Sequence, residues 1–132
     1  ALGSLAASAG RLVEGGVAGP RGCNSYDVSR AARPRTIIGW DKNDQWRSVT
    51  IPGTHFDGVG LRLGGFGLAN AANVAKRLGL VNAYALDGGG STTLWTRDTS
   101  GSWARRDLYG VNTRVCACER AVTNGLAFLA GP

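Results

Sequence analysis

The clearest periodicity of apolar and polar positions lies between residues 68 and 78. Apolar side chains recur there at i, i+3, i+4, i+7 and i+10, a spacing that places them on one face of a helix. Lys76, Arg77 and Gly79 come at the end of this pattern, and basic residues and glycine are typical of a helix C terminus. The pattern therefore predicts one amphipathic helix with the apolar face Leu68, Ala71, Ala72, Ala75 and Leu78.

The other apolar segments are short and have the length and composition of β-strands. Residues 81–86 form an apolar run that indicates a buried strand. Residues 19–34 and 54–67 are rich in glycine or proline and are predicted to be loops. The order of elements predicts an α+β fold, with a mainly antiparallel or mixed β-sheet and one principal helix. The predicted strands are 11–16 with its turn, the hairpin 36–51, 81–86, the hairpin 92–106 and 119–129.

Composition favours a globular chain. The 132 residues are 43% hydrophobic and 18% charged, and they contain no apolar run of membrane-spanning length, so neither a disordered tail nor a membrane span is expected. Residues 1–132 are either a single domain or the C-terminal segment of a larger one, because the chain lacks methionine and opens on what looks like the end of an element. In the second case we expect a second protein segment or chain to complete the domain, since strands without neighbours expose unpaired edges.

The charge is strongly positive and is carried by arginine. The net charge is +6, and only two of the 15 basic residues, Lys42 and Lys76, are lysines. Arginine binds phosphate and carboxylate groups through two parallel hydrogen bonds, so an anionic ligand fits this composition, although a bias in gene composition would produce the same count. Nucleic acid is not expected as a partner, because the arginines are scattered and no nucleic-acid-binding signature is present.

The three cysteines indicate disulfides more than a zinc site. Cys116 and Cys118 lack a second pair of ligands at zinc spacing, and the only histidine, His55, is distant in sequence. We expect a protein that is secreted or displayed at the cell surface, in which Cys116 or Cys118 pairs with Cys23 or with a cysteine on another segment. His55 can titrate near neutral pH, but a structural histidine is the more frequent case.

The stretch with the most chemistry follows the predicted strand 81–86. It holds one acid, three glycines and two hydroxyl side chains: Asp87, Gly88, Gly89, Gly90, Ser91 and Thr92. A carboxylate at the end of a buried strand is held rigidly and is partly shielded from water. Glycines allow backbone N–H groups to face an anion. A polar turn whose acid and hydroxyl bond the local backbone explains the same residues without a function.

Three motifs in order resemble the phosphodiester glycosidase family, which includes the enzyme that uncovers mannose 6-phosphate by removing N-acetylglucosamine. The first motif is residues 34–39 (PRTIIG), the second is residues 86–91 (LDGGGS) and the third is residues 119–126 (ERAVTNGL). The resemblance covers residues 33–129. It implies the fold of that family and hydrolysis of a sugar joined through its anomeric carbon to a phosphodiester, so that the partner is a phosphorylated carbohydrate or anionic glycan.

The resemblance also implies residue roles. Asp87 would be the catalytic residue, acting on water or stabilising the anomeric centre, and arginines would hold the phosphate. A phosphomonoester is a weak base that leaves with little help, so such a site needs no second carboxylate to protonate it. No cofactor is expected from the resemblance, and a bound metal is left open. The substrate-binding residues would be Arg35, Gly88, Gly89, Gly90, Ser91, Thr92 and Arg120.

Two other classes of function fit the same residues. A non-catalytic module that binds anionic glycan or cell-wall polymer would keep the arginines and glycines without depending on Asp87. A chain with a structural or protein-interaction role would have the same fold without using these residues for catalysis or glycan binding. The roles of the arginines also stay open, because Arg35 could form a structural salt bridge and Arg120 could be neutralised by the adjacent Glu119.

Overall fold

The computed structural model describes residues 10–21, 32–53, 55–56, 61–62, 64–106 and 126–127. One α-helix and nine strands lie within these residues, together with a 3₁₀ turn at Gly89–Ser91. In chain order they are β1 (Gly10–Glu14), β2 (Val17–Arg21), β3 (Arg35–Asp41), β4 (Trp46–Ile51), β5 (His55–Phe56), β6 (Leu61–Arg62), α1 (Leu68–Arg77), β7 (Leu80–Ala85), β8 (Trp95–Arg97) and β9 (Trp103–Arg105).

The main sheet has five strands in the order β2-β1-β7-β3-β4. Each neighbouring pair in it is antiparallel, and β7 lies at the centre between β1 and β3. Two small ribbons, β5 with β6 and β8 with β9, are also antiparallel. The predicted α+β fold with a mainly antiparallel sheet and one principal helix is therefore confirmed for the described residues.

Helix α1 packs on one face of this sheet and forms the core with it. The predicted apolar face is confirmed at four of its five positions, which are fully buried, whereas Leu78 is 42% exposed. The difference arises because α1 ends at Arg77, and Gly79 turns the chain away with φ +82°. The core consists of Leu12, Val13, Ile37, Ile51, Leu68, Ala71, Ala72, Ala75, Leu80, Ala83 and Ala85.

Three predictions of local structure need correction. Residues 19–21, predicted to be loop, belong to β2, which pairs with β1 across the turn at Gly15 and Gly16. β2 tolerates Pro20 because it is an edge strand of the described sheet. Residues 92–94, predicted to be strand, are not, because the 3₁₀ turn precedes them and β8 begins only at Trp95. The predicted 54–67 loop contains β5 and β6.

Some predictions fall on residues outside the described part of the chain. They are the last strand at 119–129, of which only residues 126 and 127 are described, the first nine residues, and the three cysteines. No helix in the described ranges is long and apolar enough to cross a membrane.

The turn between β3 and β4 is organised by Asp41. Its Oδ1 accepts the backbone N–H groups of Asn43 at 2.8 Å and Gln45 at 3.1 Å, and its Oδ2 accepts Arg47 at 3.2 Å. These bonds, that of Asn43 first, hold the pKa of Asp41 below its ordinary value of 3.8, although partial desolvation opposes them. A lowered pKa means that the carboxylate stabilises the fold above the ordinary pKa, and that this contribution is lost as pH falls through the lower, folded value.

Gly39 permits the close pairing of β3 with the central strand. It lies opposite Ala83 in the register, and a Cβ atom placed on it would be 2.3 Å from the Asn82 carbonyl oxygen and 3.0 Å from the Ala83 Cα atom. Both distances involve backbone atoms, so no side-chain rotation relieves them. Any larger residue at position 39 must therefore push β3 away from β7.

We expect Gly39→Ala to lower the free energy of unfolding by about 2–3 kcal/mol, in the upper range for overpacking a core. Gly19→Ala in strand β2 is the matched control, because a Cβ atom at Gly19 meets nothing within 4 Å. It should change the stability by less than about 1 kcal/mol. Denaturant unfolding of both variants provides the comparison, and equal stabilities would show that the contact at Gly39 is not tight.

Candidate active site

The acidic motif leaves the sheet directly after its central strand. The N–H of Leu86 donates to the Thr36 carbonyl at 2.8 Å, which prolongs the pairing with β3 by one residue. Asp87 is the first residue beyond this bond, and its side chain is exposed. The prediction that the Asp87 carboxylate is partly shielded from water is therefore wrong, because the chain has already left the buried part of the sheet at this position.

The backbone after Asp87 folds into a compact turn that uses its own donors. The Gly88 N–H donates to the Asp87 carboxylate at 2.9 Å, which fixes one carboxylate oxygen against the turn. The Gly89 N–H donates to the Pro34 carbonyl at 2.9 Å. The N–H groups of Ser91 and Thr92 close the 3₁₀ turn onto the Gly88 and Gly89 carbonyls, at 3.2 and 3.1 Å. These N–H groups are engaged within the protein, so an anion cradle made of them would first have to open.

Gly88 sets the distance between this turn and the start of β3. A Cβ atom at Gly88 would lie 2.7 Å from the Pro34 carbonyl oxygen and 3.7 Å from the Arg35 Cδ atom. Because the first distance is below any normal contact, only glycine allows the turn to approach Pro34 so closely. The first and second motifs of the sequence therefore touch at Pro34, Arg35 and Gly88.

Arg35 is buried beneath this contact and is held in a fixed orientation. It is 3% exposed, and its Nε donates to the Phe66 carbonyl oxygen at 2.8 Å. Phe66 itself is bonded to the segment before β3, since its N–H donates to the Arg33 carbonyl at 3.0 Å. A buried guanidinium without bonded acceptors would be costly, and the bond to the Phe66 carbonyl fixes the position of this one.

The loop that supplies Phe66 is clamped by a second glycine. Gly65 has φ +91°, and a Cβ atom there would overlap the Arg33 carbonyl oxygen. The positive φ and the close approach of the Arg33 carbonyl both favour glycine at position 65. It lets the chain before α1 lie against residues 33–34, and so it presents the carbonyl that orients Arg35.

The remaining predicted site residues have different surroundings. Thr92 is 1% exposed, and among the described residues its Oγ1 atom has no hydrogen-bond partner. Ser91 is half-buried, and Gly90 lies within the 3₁₀ turn. Arg120 lies outside the described residues, and the backbone of His55 pairs with Arg62 in the ribbon of β5 and β6. No group of three or more metal-binding side chains occurs in the part of the chain that is described.

Two residues shape the site in a way that the sequence could not show. Pro34 and Phe66 act through their backbone carbonyl oxygens, which accept the Gly89 N–H and the Arg35 Nε. Every residue carries such an oxygen, so no side-chain pattern marks these positions. The glycines that permit the close approach, Gly88 and Gly65, are the sequence feature that accompanies these two contacts.

Comparisons with known proteins agree with the fold. A family model described as phosphodiester glycosidase matches residues 3–129. The chain is similar to the zebrafish N-acetylglucosamine-1-phosphodiester alpha-N-acetylglucosaminidase catalytic domain auto-inhibited by pro-peptide, with 22% identity and a TM-score of 0.63 over 86% of this chain and 38% of that chain. It is also similar to a hypothetical protein from Synechocystis, with 27% identity and a TM-score of 0.54 over 74% of this chain and 17% of that one.

The extent of these similarities limits what they show. At 22% identity the zebrafish structure shows the fold alone, and the chain spans 38% of its length. No curated protein sequence matches the chain. The family match covers nearly all of the chain, so the resemblance stated from the three sequence motifs is confirmed.

We expect Gly88→Ala and Gly89→Ala to differ because the two glycines meet different surroundings. Gly89→Ala should cost about 1–2 kcal/mol, since position 89 has φ +60° but nothing lies within 4 Å of its Cβ atom. Gly88→Ala should also displace the turn, because its Cβ atom would meet the Pro34 carbonyl. Amide exchange at Gly89, whose N–H binds that carbonyl, measures the displacement: it should accelerate in Gly88→Ala. Unchanged protection there would contradict the close contact.

Proposed function

The chain belongs to the phosphodiester glycosidase family, and we propose that it takes part in hydrolysing a sugar-1-phosphodiester. In this reaction water attacks the anomeric carbon, and the bond between that carbon and the phosphate oxygen breaks. The phosphomonoester leaves with the electron pair, and one proton of the water passes to a carboxylate. The observation that carries the proposal is the contact between the turn after Asp87 and the start of β3, where the Gly89 N–H donates to the Pro34 carbonyl and Gly88 lies against Pro34 and Arg35.

Asp87 is assigned the role of general base or electrostatic stabiliser. Its side chain is exposed to a substrate arriving from solvent, while the Gly88 N–H fixes one of its oxygen atoms at 2.9 Å. A charged acceptor held by a backbone donor needs little reorganisation when the reaction begins. One carboxylate suffices here because a phosphomonoester leaving group is weakly basic, unlike the alkoxide released by ordinary glycosidases.

Arg35 is assigned to the negative charge of the phosphate. Since the residue is 3% exposed, its guanidinium acts mainly through its field at the base of the turn, where low dielectric strengthens the attraction. The sequence motif at 119–126 adds Arg120 as a second cation of the same site. The proposed step itself uses no cofactor.

A module that only binds anionic glycan is the alternative function. Such a module would use the same cations and would not depend on the Asp87 carboxylate. Replacing that carboxylate by an amide of the same shape therefore separates the two functions.

We expect Asp87→Asn to reduce kcat/KM for a sugar-1-phosphodiester by about 10²–10⁴-fold, the usual contribution of a general base. The melting temperature should stay close to that of the parent, because the side chain is exposed. Asp44→Asn makes the same chemical change in the turn between β3 and β4 and should leave turnover intact. Turnover of Asp87→Asn within about tenfold of the parent would remove Asp87 from the catalytic role. If the parent chain binds the glycan but does not hydrolyse the sugar-1-phosphodiester, the binding module is favoured.

We expect Arg35→Lys to lose nearly as much kcat/KM as Arg35→Ala, at least about tenfold. The reason is that lysine has no donor at the position of Nε, so the bond to the Phe66 carbonyl that positions the buried charge is lost. Arg77→Lys on the exposed side of α1 is the control, and melting curves report folding of all variants. Parent-like activity of Arg35→Lys would show that a point charge is enough.

A further inference from the structure

The hairpin of β8 and β9 carries tryptophan and arginine side chains on one face. Arg97 lies opposite Trp103 in the register, and Trp95 lies opposite Arg105. Because alternate residues of a strand point to the same side, Trp95, Arg97 and Trp103 share one face. The arrangement is also seen directly, since the Arg97 guanidinium carbon lies 6.0 Å from the centre of the Trp103 ring.

This face is open to solvent. Trp95 is 46% exposed and Trp103 is 63% exposed, and Arg97 is exposed as well. Tryptophan usually buries most of its large surface, so two neighbouring exposed rings mark a binding surface rather than a random surface position. Hairpin residues 95–106 contain three arginines and a single acid, Asp98, so the hairpin as a whole is positively charged, and Arg97 places one of these charges on the tryptophan face.

The turn of the hairpin holds this surface in one conformation. The Asp98 Oδ1 atom accepts the backbone N–H groups of Ser100 and Ser102, each at 2.9 Å, so the only acid of the hairpin is engaged in its own turn. The Arg97 Nε donates to the Gly101 carbonyl at 2.9 Å, which fixes the guanidinium beside the Trp103 ring. A surface ordered before binding loses less entropy when a ligand arrives.

We propose that this face binds an anionic glycan chain, and that the chain leads into the turn at Asp87. The flat, apolar C–H face of a pyranose ring packs on a tryptophan ring. An arginine between two such rings pairs with a phosphate or carboxylate carried by the chain. Because the hairpin is positively charged and such a glycan is negatively charged, the surface binds this glycan in preference to a neutral polysaccharide.

The hairpin lies close to the candidate active site. The Arg106 N–H donates to the Leu94 carbonyl at 2.8 Å and closes the base of the hairpin. Only residues 92–94 separate that base from the 3₁₀ turn Gly89–Ser91, and a chain of this length spans at most about 14 Å between Ser91 and Trp95. A glycan on the hairpin is thus within a few sugar units of Asp87. The inference that the glycan runs towards Asp87 rests on the proposed function, whereas the inference that it binds the hairpin does not.

The test measures binding of a phosphorylated mannan to the full chain by titration calorimetry. Trp103→Ala and Arg97→Gln should each raise the Kd about tenfold, as expected for loss of an aromatic or arginine anchor. Trp103→Phe keeps a ring and should retain most of the affinity. The controls are Trp46→Ala in β4 and Arg77→Gln in α1, which remove the same groups elsewhere and should change the Kd less than about twofold. Melting curves exclude variants that fail to fold.

Three results would overturn the proposal: unchanged affinity in both hairpin variants, equal binding of the dephosphorylated mannan, or tighter hairpin-dependent binding of a single-stranded oligonucleotide. A small sugar-1-phosphate methyl ester separates this proposal from the hydrolytic one. Its turnover should be unaffected by Trp103→Ala, because it does not reach the hairpin. Hairpin-dependent binding of the mannan without turnover of the ester would refute hydrolysis and leave the glycan surface standing.

Discussion

The contact between the Pro34 carbonyl and the turn at Gly88 and Gly89 determines how the candidate site is assembled. The Gly89 N–H donates to this carbonyl at 2.9 Å, and Gly88 lies too close to it for any side chain. The antiparallel pairing of β3 with the central strand β7 carries both segments to the same end of the sheet. The segment that holds Asp87 and the segment that opens β3 with Arg35 lie side by side as a consequence.

The same contact explains why the cation is buried and the acid is exposed. Arg35 is the first residue of β3, and its side chain is buried where the Phe66 carbonyl accepts its Nε. Asp87 comes one residue after the last bond of the sheet and projects to solvent. The arginine is thus fixed in the interior, whereas the carboxylate faces solvent. Such an arrangement suits a reaction in which a phosphate charge is held while water is activated.

Sequence alone predicted the parts of the fold that local periodicity controls. Helix α1 and the apolar strand before Asp87 were predictable because their patterns match their periods over many residues. β2 was not predictable, since Pro20 argues against a strand and only its edge position makes it acceptable. The orientation of the buried Arg35 depends on the Phe66 carbonyl that accepts its Nε, and the position of the turn after Asp87 depends on the Pro34 carbonyl that accepts the Gly89 N–H. Every residue carries a backbone carbonyl, so no side-chain pattern predicts that these two act as the acceptors.

The position of bond cleavage tests the assignment of a phosphodiester glycosidase most directly. Hydrolysis of a sugar-1-phosphodiester in water labelled with oxygen-18 reports whether the anomeric carbon or the phosphorus is attacked. We predict that the label enters the anomeric hydroxyl of the released sugar and that the phosphomonoester is unlabelled. Label on phosphorus, whether in the phosphomonoester or in a released sugar-1-phosphate, would contradict the assignment.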